Sequence, residues 1–332
     1  MNPLVETWKK GWYRLINKPY YPPNKIRFGF TSAVYQNIFH LIQWSFYVGD
    51  PVFVQSNYYG LNIETQKIIN HMLTHNRLHK RMTYRHFTKP KKDGTDRHLV
   101  EPNPLLRAIQ LEILKSRLSE HQPHPAAMGF IKKKSIADHV WAHAGAEIII
   151  TADIQDFFPN TRTDRIEAWW YGVYGDEEVA RLMTLLTTYR GGLPQGASTS
   201  PMLSNLVNFE MDRQITKRVE LSGGKYTRYG DDMVFSWHHR PPSDFERAIW
   251  GILRDAGYEL NPQKGWHVYH RRDEPEITGA VLGKNGKVTV PEWVNERIRD
   301  LQKLAKTDEY AQNRLLGYVG YKQMIEKHKA VL

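Results

Sequence analysis

The residues best suited to chemistry begin with Asp231 and Asp232, adjacent carboxylates in Tyr226-Thr227-Arg228-Tyr229-Gly230-Asp231-Asp232-Met233-Val234-Phe235-Ser236. The flanking runs are rich in β-branched and aromatic residues, as in two strands joined by a tight turn, and Gly230 lets the backbone bend just before the acids. Neighbouring carboxylates repel, so the pair calls for a cation or a buried donor, and hard oxygen ligands suit Mg2+. The alternative is a solvated Asp-Asp turn. A third acid, Asp153, ends the apolar run Ala146-Glu147-Ile148-Ile149-Ile150-Thr151-Ala152-Asp153. Burying it there is costly unless it is paired or metal-bound, although a helix-capping role would also account for it. Three carboxylates from two strands match what two Mg2+ ions need to hold a triphosphate and activate a 3′-hydroxyl.

Other segments offer a grip on phosphate. Asp93-Gly94 is a hairpin turn signal between basic arms that place Lys91, Lys92 and Arg97 on one ribbon, to bind a triphosphate or a template backbone, or simply to face solvent. The Gly-rich loop Arg190-Gly191-Gly192-Leu193-Pro194-Gln195-Gly196-Ala197-Ser198-Thr199-Ser200-Pro201 leads into a helix expected over Met202–Glu220. Free N–H groups at such a junction attract anions or a base pair. Lys132, Lys133 and Lys134 form a basic triplet, followed by His139 and His143 one turn apart. With no third ligand nearby, that His pair reads as packed or backbone-bonded rather than metal-binding.

These side chains must be positioned by surrounding elements. Periodicity predicts helices over Leu61–His79, Pro102–Leu118 with Pro104 in its first turn, Thr163–Tyr171, Asp176–Tyr189 and Ser243–Tyr258. A strand is expected over Pro275–Leu282, a basic turn at Lys284–Lys287, and two closing helices over Pro291–Lys306 and Asp308–Lys327. The 332 residues carry 46 Lys and Arg against 35 Asp and Glu, a net charge of +11 that favours a polyanionic partner, nucleic acid before membrane. There is no Cys, which excludes disulfides and thiolate zinc sites. Met1–Phe30 lacks a signal-peptide core, and the apolar window Ile38–Val54 is interrupted by His40, Gln43, Gly49, Asp50 and Pro51, so the expectation is a cytoplasmic protein without membrane contact.

The order of these segments resembles bacterial retron-type reverse transcriptases, within the wider group of intron and defence-associated reverse transcriptases. The blocks that carry the resemblance are Lys91…Gly94…Arg97…Pro102 with Leu106–Gln110, Gly129-Phe130, and Asp153-Ile154-Gln155-Asp156-Phe157-Phe158. They continue with Gly192-Leu193-Pro194-Gln195-Gly196, Thr199-Ser200-Pro201, Ser204-Asn205, Tyr229-Gly230-Asp231-Asp232, Gly257…Leu260-Asn261…Lys264 and Ile277-Thr278-Gly279. Gly230 stands where the family more often has Ala. His139-Val140-Trp141-Ala142-His143 keeps only the His of an Asn-Ala-x-x-His element.

The resemblance implies an α+β right-hand polymerase with helical-plus-hairpin fingers, an antiparallel-sheet palm and a small helical thumb. Residues 1–60 would form an N-terminal aromatic extension, 61–282 the fingers and palm, and 283–332 the basic thumb. Asp153, Asp231 and Asp232 are then the catalytic acids, ligating two Mg2+ ions (or Mn2+) together with Ile154, and Lys264 protonates the departing pyrophosphate. Lys91, Arg97, Gln195 and Gly196 meet the incoming dNTP and template. One ring excludes a 2′-hydroxyl: family spacing favours Phe158, strand alternation Phe157. RNA contacts are expected at Lys132–Lys134 and Ile277-Thr278-Gly279. The implied activity is copying a dedicated structured non-coding RNA into DNA, without a nuclease, integrase or maturase extension, in antiphage defence with an effector protein encoded nearby. The alternatives are another defence-associated or intron-like reverse transcriptase, an RNA-dependent RNA polymerase, which would prefer ribonucleotides, and a catalytically silent RNA-binding subunit.

Overall fold

The structure, a computed structural model, describes residues 60–62, 65–67, 69, 83–90, 96–305 and 308–326, without the side chains of 90 and 96–98. The extension 1–60, but for Gly60, and most of the helix expected over Leu61–His79 lie outside the described residues, as do Lys91, Lys92 and the Asp93-Gly94 turn. The described residues form two compact units. One runs up to Gln122 and resumes over Thr161–Leu203; the other comprises Pro123–Asn160 and the described residues from Ser204 onward.

In the first unit, β1 (Tyr84–Pro90) and β2 (Asp96–Pro102) pair antiparallel from Tyr84↔Pro102 to Pro90↔Asp96, the arms of the expected basic ribbon. Helix α1 (Pro104–Ser116) begins with Pro at N1, and the Asn103 side chain accepts a 2.9 Å bond from the Leu106 amide, so two start signals coincide. In the second unit, α2 (Ile136–Trp141) is opened by a Ser135/Asp138 capping box, β3 is Ile148–Asp153, and a single turn of helix, α3 (Phe157–Asn160), follows. Returning to the first unit, α4 (Thr163–Tyr174) stops at Gly175 in the left-handed region (φ 64°), and α5 (Glu177–Thr187) is capped by Asp176. Buried Gln110 of α1 donates to the Leu186 carbonyl of α5 at 2.9 Å and to the Tyr84 hydroxyl of β1 at 3.1 Å.

The helix expected over Met202–Glu220 is two: α6 (Ser200–Val207) and α7 (Phe209–Glu220). Between them Asn208 leaves helical geometry (φ −92°, ψ 11°), and its side chain donates to the Ser204 carbonyl and the Tyr258 hydroxyl, each at 2.8 Å. Asn competes with the helix ladder in this way, and hydropathy periodicity runs straight through the break.

In the second unit, β4 (Lys225–Tyr229), β5 (Asp232–Trp237), β3 and β6 (Trp266–His270) form an antiparallel sheet in the order β4-β5-β3-β6, with α8 (Phe245–Asp255) between β5 and β6 in sequence. Side chains alternate across it. Ile150, Ala152, Met233, Phe235 and Trp237 enter a core with Met211, Ile215 and Val219 of α7 and Phe245, Ile249 and Leu253 of α8. Ile149 and Val234 occupy the other face, under α2 and a small sheet of β7 (Glu276–Ile277), β8 (Ala280–Leu282) and β9 (Val288–Thr289). The strand expected over Pro275–Leu282 is therefore a hairpin, broken where Thr278 and Gly279 take φ of 50° and 91°. The closing helices are α9 (Glu292–Leu304) and α10 (Glu309–Glu326). Among the described residues no helix is long and apolar enough to cross a membrane.

Candidate active site

Alternation puts Asp153 on the face of Thr151 and Ile149, and Asp232 on that of Val234 and Ser236; the two acids are direct Cα partners across β3 and β5. Tyr229 pairs with Asp232, leaving Gly230-Asp231 as a two-residue hairpin loop. Gly230 has φ 68° at the first loop position, as a II′ turn requires. The Ile154 amide donates to the Asp231 carbonyl at 3.0 Å, tying the turn to the chain just past Asp153.

The electrostatics are those of crowded anions. Asp153 is buried, with Oδ1 accepting from Asn261 Nδ2 at 3.0 Å and Oδ2 from Lys264 Nζ at 2.5 Å. Lys264 loses hydration, which lowers its pKa, but the bond to Asp153 and the charges of Asp153, Asp232 and Asp231 prevail and raise it. Burial, with Asp231 and Asp153 adding to it, pushes Asp232 up to about 6; Lys264 pulls the other way. Thr278 lies beside Asp232 and also favours its ionised form, but its buried hydroxyl is not in good hydrogen-bonding geometry. Asp153, Asp232, Lys264, His267, Glu276 and Thr278 line a cavity of about 90 Å³. A larger open hollow along α9 is lined by Glu296, Arg299, Asp300 and Lys303, whose mixed charges lack convergent acids.

An aromatic row borders the acids. The strand ends at Asp153, so alternation does not extend to the two phenylalanines on α3. Phe157 turns into the core against Tyr258, whereas Phe158 remains partly exposed, 5.9 Å from the Phe130 ring, which in turn is 5.9 Å from Tyr229. Phe130, known from the sequence only through the Gly129-Phe130 block, is 45% exposed and has no sequence-based role. Gly129 has a steric reason: a Cβ there would lie 2.8 Å from the Gly230 nitrogen.

Beneath the turn lies a buried ion pair with no local signal in the sequence. Arg228, fully buried, grips Asp212 of α7 through Nε–Oδ1 at 2.9 Å and Nη2–Oδ2 at 2.6 Å. Its Nη1 donates to the Gly230 carbonyl at 2.9 Å, and Nη2 to Asn205 Oδ1 at 3.2 Å. Asn205 also donates to the Gly129 carbonyl at 2.8 Å. One guanidinium thus anchors the hairpin turn. His139 and His143 are packed, as the sequence suggests, but their bonds go to side-chain hydroxyls rather than to the backbone. His143 bonds Ser236 and Thr227, and His139 bonds Thr227, all at 2.7–2.8 Å. Burial lowers both pKa values, so both rings are neutral.

The second unit therefore brings together Asp153, Ile154, Asp231, Asp232, Lys264 and Thr278. Lys132, Lys133 and Lys134 are exposed between Phe130 and α2. Ile277 is packed in the core, which leaves Thr278 and the turn backbone as the available surface of that triplet. In the first unit, Gln195 and Gly196 lie against β2. The Val100 amide donates to the Gln195 carbonyl at 3.0 Å, and a Cβ on Gly196 would meet the Val100 carbonyl oxygen at 2.6 Å. Arg97 stands on the same strand opposite Lys89.

The donor set suits a hard divalent ion: Asp153 and Asp232 are neighbours across two strands with Asp231 on the adjoining turn, and carboxylate oxygens are hard ligands. Among the described residues no group of three such ligands already stands at metal-holding distance, and the Lys264 ammonium occupies the cation position on Asp153.

An antiparallel sheet backed by two helices, with acids on a hairpin and on the strand beside it, is the palm of a right-hand polymerase, within an α+β fold. A family model described as reverse transcriptase (RNA-dependent DNA polymerase) matches residues 89–318, and the chain belongs to that family. The retron Mx162 reverse transcriptase of Myxococcus xanthus is 30% identical over 233 residues, covering 61% of this chain and 48% of that protein. The retron Ec86 reverse transcriptase of Escherichia coli is 27% identical over 256 residues, covering 76% and 78%. The chain thus spans about half the length of the first relative. Among solved structures, apo telomerase from Candida tropicalis truncated from its C-terminal domain matches with a TM-score of 0.46 at 10% identity, covering 64% of this chain and 55% of that one.

Proposed function

We propose that the chain is an RNA-directed DNA polymerase of retron type that copies a dedicated structured non-coding RNA into DNA by two-metal nucleotidyl transfer. The observation that carries this reading is the pairing of Asp153 with Asp232 across β3 and β5, with Asp231 on the adjoining turn. Asp153, Asp231 and Asp232 would hold Mg2+ (or Mn2+), with Ile154 beside them. The ions, when bound, lower the 3′-hydroxyl pKa and stabilise charge on the entering and leaving oxygens.

The chain's own residues do the rest. The sheet fixes the carboxylates, because in-line attack tolerates little misplacement. Lys264 neutralises Asp153 in the resting site and is the proton donor to pyrophosphate once released from it. Phe158, the accessible ring of the pair, would press on the sugar and reject a 2′-hydroxyl. Lys91, Arg97, Gln195 and Gly196 would grip the dNTP, and Lys132–Lys134 with Thr278 the RNA, through backbone and 2′-hydroxyl contacts. Residues 1–60 are assigned to an extension, 61–282 to fingers and palm, and 283–332 to the thumb. An antiphage role with a neighbouring effector protein belongs to the same proposal and rests on the resemblance to retron-type enzymes alone.

The test is primer extension on an RNA template with Mg2+ and either dNTPs or NTPs, comparing the natural chain with Asp153→Asn, Asp231→Asn and Asp232→Asn. DNA synthesis lost in every variant is the expected result. Extension by NTPs alone would make it an RNA polymerase, and equal activity in a folded Asp231→Asn protein would overturn the acid assignment. Expressed from its own genomic neighbourhood, the natural chain should co-purify with a discrete DNA copied from one adjacent RNA, and Asp231→Asn should not.

A further inference from the structure

Helix α10 meets the Thr278-Gly279 turn through the hydroxyl of Tyr321. Tyr321 Oη donates to the Gly279 carbonyl at 2.8 Å, and a Cβ on Gly279 would stand 2.9 Å from that oxygen, so the turn lies flush against the phenol. The other half of the turn is Thr278, which lines the cavity shared by Asp153 and Asp232.

The turn needs holding. Thr278 is β-branched with φ 50°, a conformation that persists only where the surroundings impose it. The β7–β8 hairpin has only the pairs Glu276↔Val281 and Ile277↔Ala280, too few to fix a turn alone. Burial raises the Tyr321 pKa, so the phenol stays a neutral donor at working pH.

We propose that Tyr321 is a positioning residue for polymerisation: through the Gly279 carbonyl its hydroxyl holds Thr278 beside Asp232, so the shape of the acid site depends on where α10 sits. The inference rests on the reading of Asp232 as a catalytic acid. Its distinctive feature is that a residue of the closing helical segment, which touches neither substrate nor acid, sets the rate.

Tyr321→Phe keeps the ring and deletes the bond, so the variant should fold. In single-nucleotide incorporation on a primed RNA template, kcat should fall about five- to tenfold, the effect of one buried hydrogen bond. KM for dNTP and Kd for the primer–template should stay within about twofold. In a Thr278→Ala background the same change should cost less than about twofold, because the bond then has nothing left to position. An unchanged kcat, an undiminished loss in the Thr278→Ala background, or a loss confined to template binding would overturn the proposal. Hydrogen exchange provides a readout independent of activity: the amides of 277–280 should exchange about tenfold faster in Tyr321→Phe, and unchanged exchange would also overturn it. Faster exchange in a chain that proves inactive would preserve the clamp and sink the polymerase reading alone.

Discussion

Replacing Arg228 with Met should unfold the palm long before it weakens any exposed contact. Arg228 and Asp212 are both fully buried, so water screens nothing, and Met leaves the Asp212 carboxylate with the Tyr226 hydroxyl at 2.9 Å as its remaining described partner. The Gly230 carbonyl and Asn205 Oδ1 lose a donor in the same stroke. Breaking a buried pair from one side costs about 3–5 kcal/mol, or about 4–7 °C in melting temperature for a protein of this size. Arg228→Met/Asp212→Asn removes the stranded charge and should recover a large part of that loss. The assay is thermal unfolding by circular dichroism at pH 7 for the three proteins. An Arg228→Met melt within about 1 °C of the natural chain, or a double variant that melts lower still, would refute the account.

Further outcomes follow from the same geometry. Because Asp232 is raised to about 6, its folded-state stabilisation is full below its unfolded value of about 4 and is lost as pH rises through 6. In metal-free buffer Asp232→Asn should therefore melt above the natural chain at pH 7, with the gap closing near pH 5. Mg2+ should raise the melting temperature of the natural chain at pH 7 and have less effect on Asp232→Asn, as calorimetry would show. Phe158→Ala should relax discrimination against ribonucleotides at a smaller cost in stability than Phe157→Ala, since its ring only borders the core. Phe157→Ala, which empties a core position, should cost about 3–5 kcal/mol in denaturant titration instead.

What sequence could reveal here was local. The Asp231-Asp232 hairpin, the ribbon flanking Asp93-Gly94 and the Asn103-Pro104 helix start are each encoded within a few residues by turn, cap or alternation chemistry. What it could not reveal depends on distant partners. Asn208 breaks a helix because Tyr258 is there to accept its amide, and Thr278 turns because the small sheet and Tyr321 hold it. Arg228 reads as one more strand cation until Asp212 of α7 is seen beneath it. Phe157 and Phe158 could not be separated while β3 was free to continue past Asp153; the switch to a helical turn decides which ring is accessible.

The two edges of the palm sheet are not equivalent. Along β4, the segment 126–129 docks on Arg228, which donates its amide to the Ala126 carbonyl at 2.8 Å and receives the Met128 amide at 2.7 Å, with a parallel bridge at Ala127. A foreign strand would find that edge blocked at its centre. On the opposite side β6 pairs with β3 and, among the described residues, with no further strand, and it exposes Val268 at 54%. Self-association by strand addition is thus directed to β6, and a charged residue at Val268 is the substitution that would improve solubility without touching the acids.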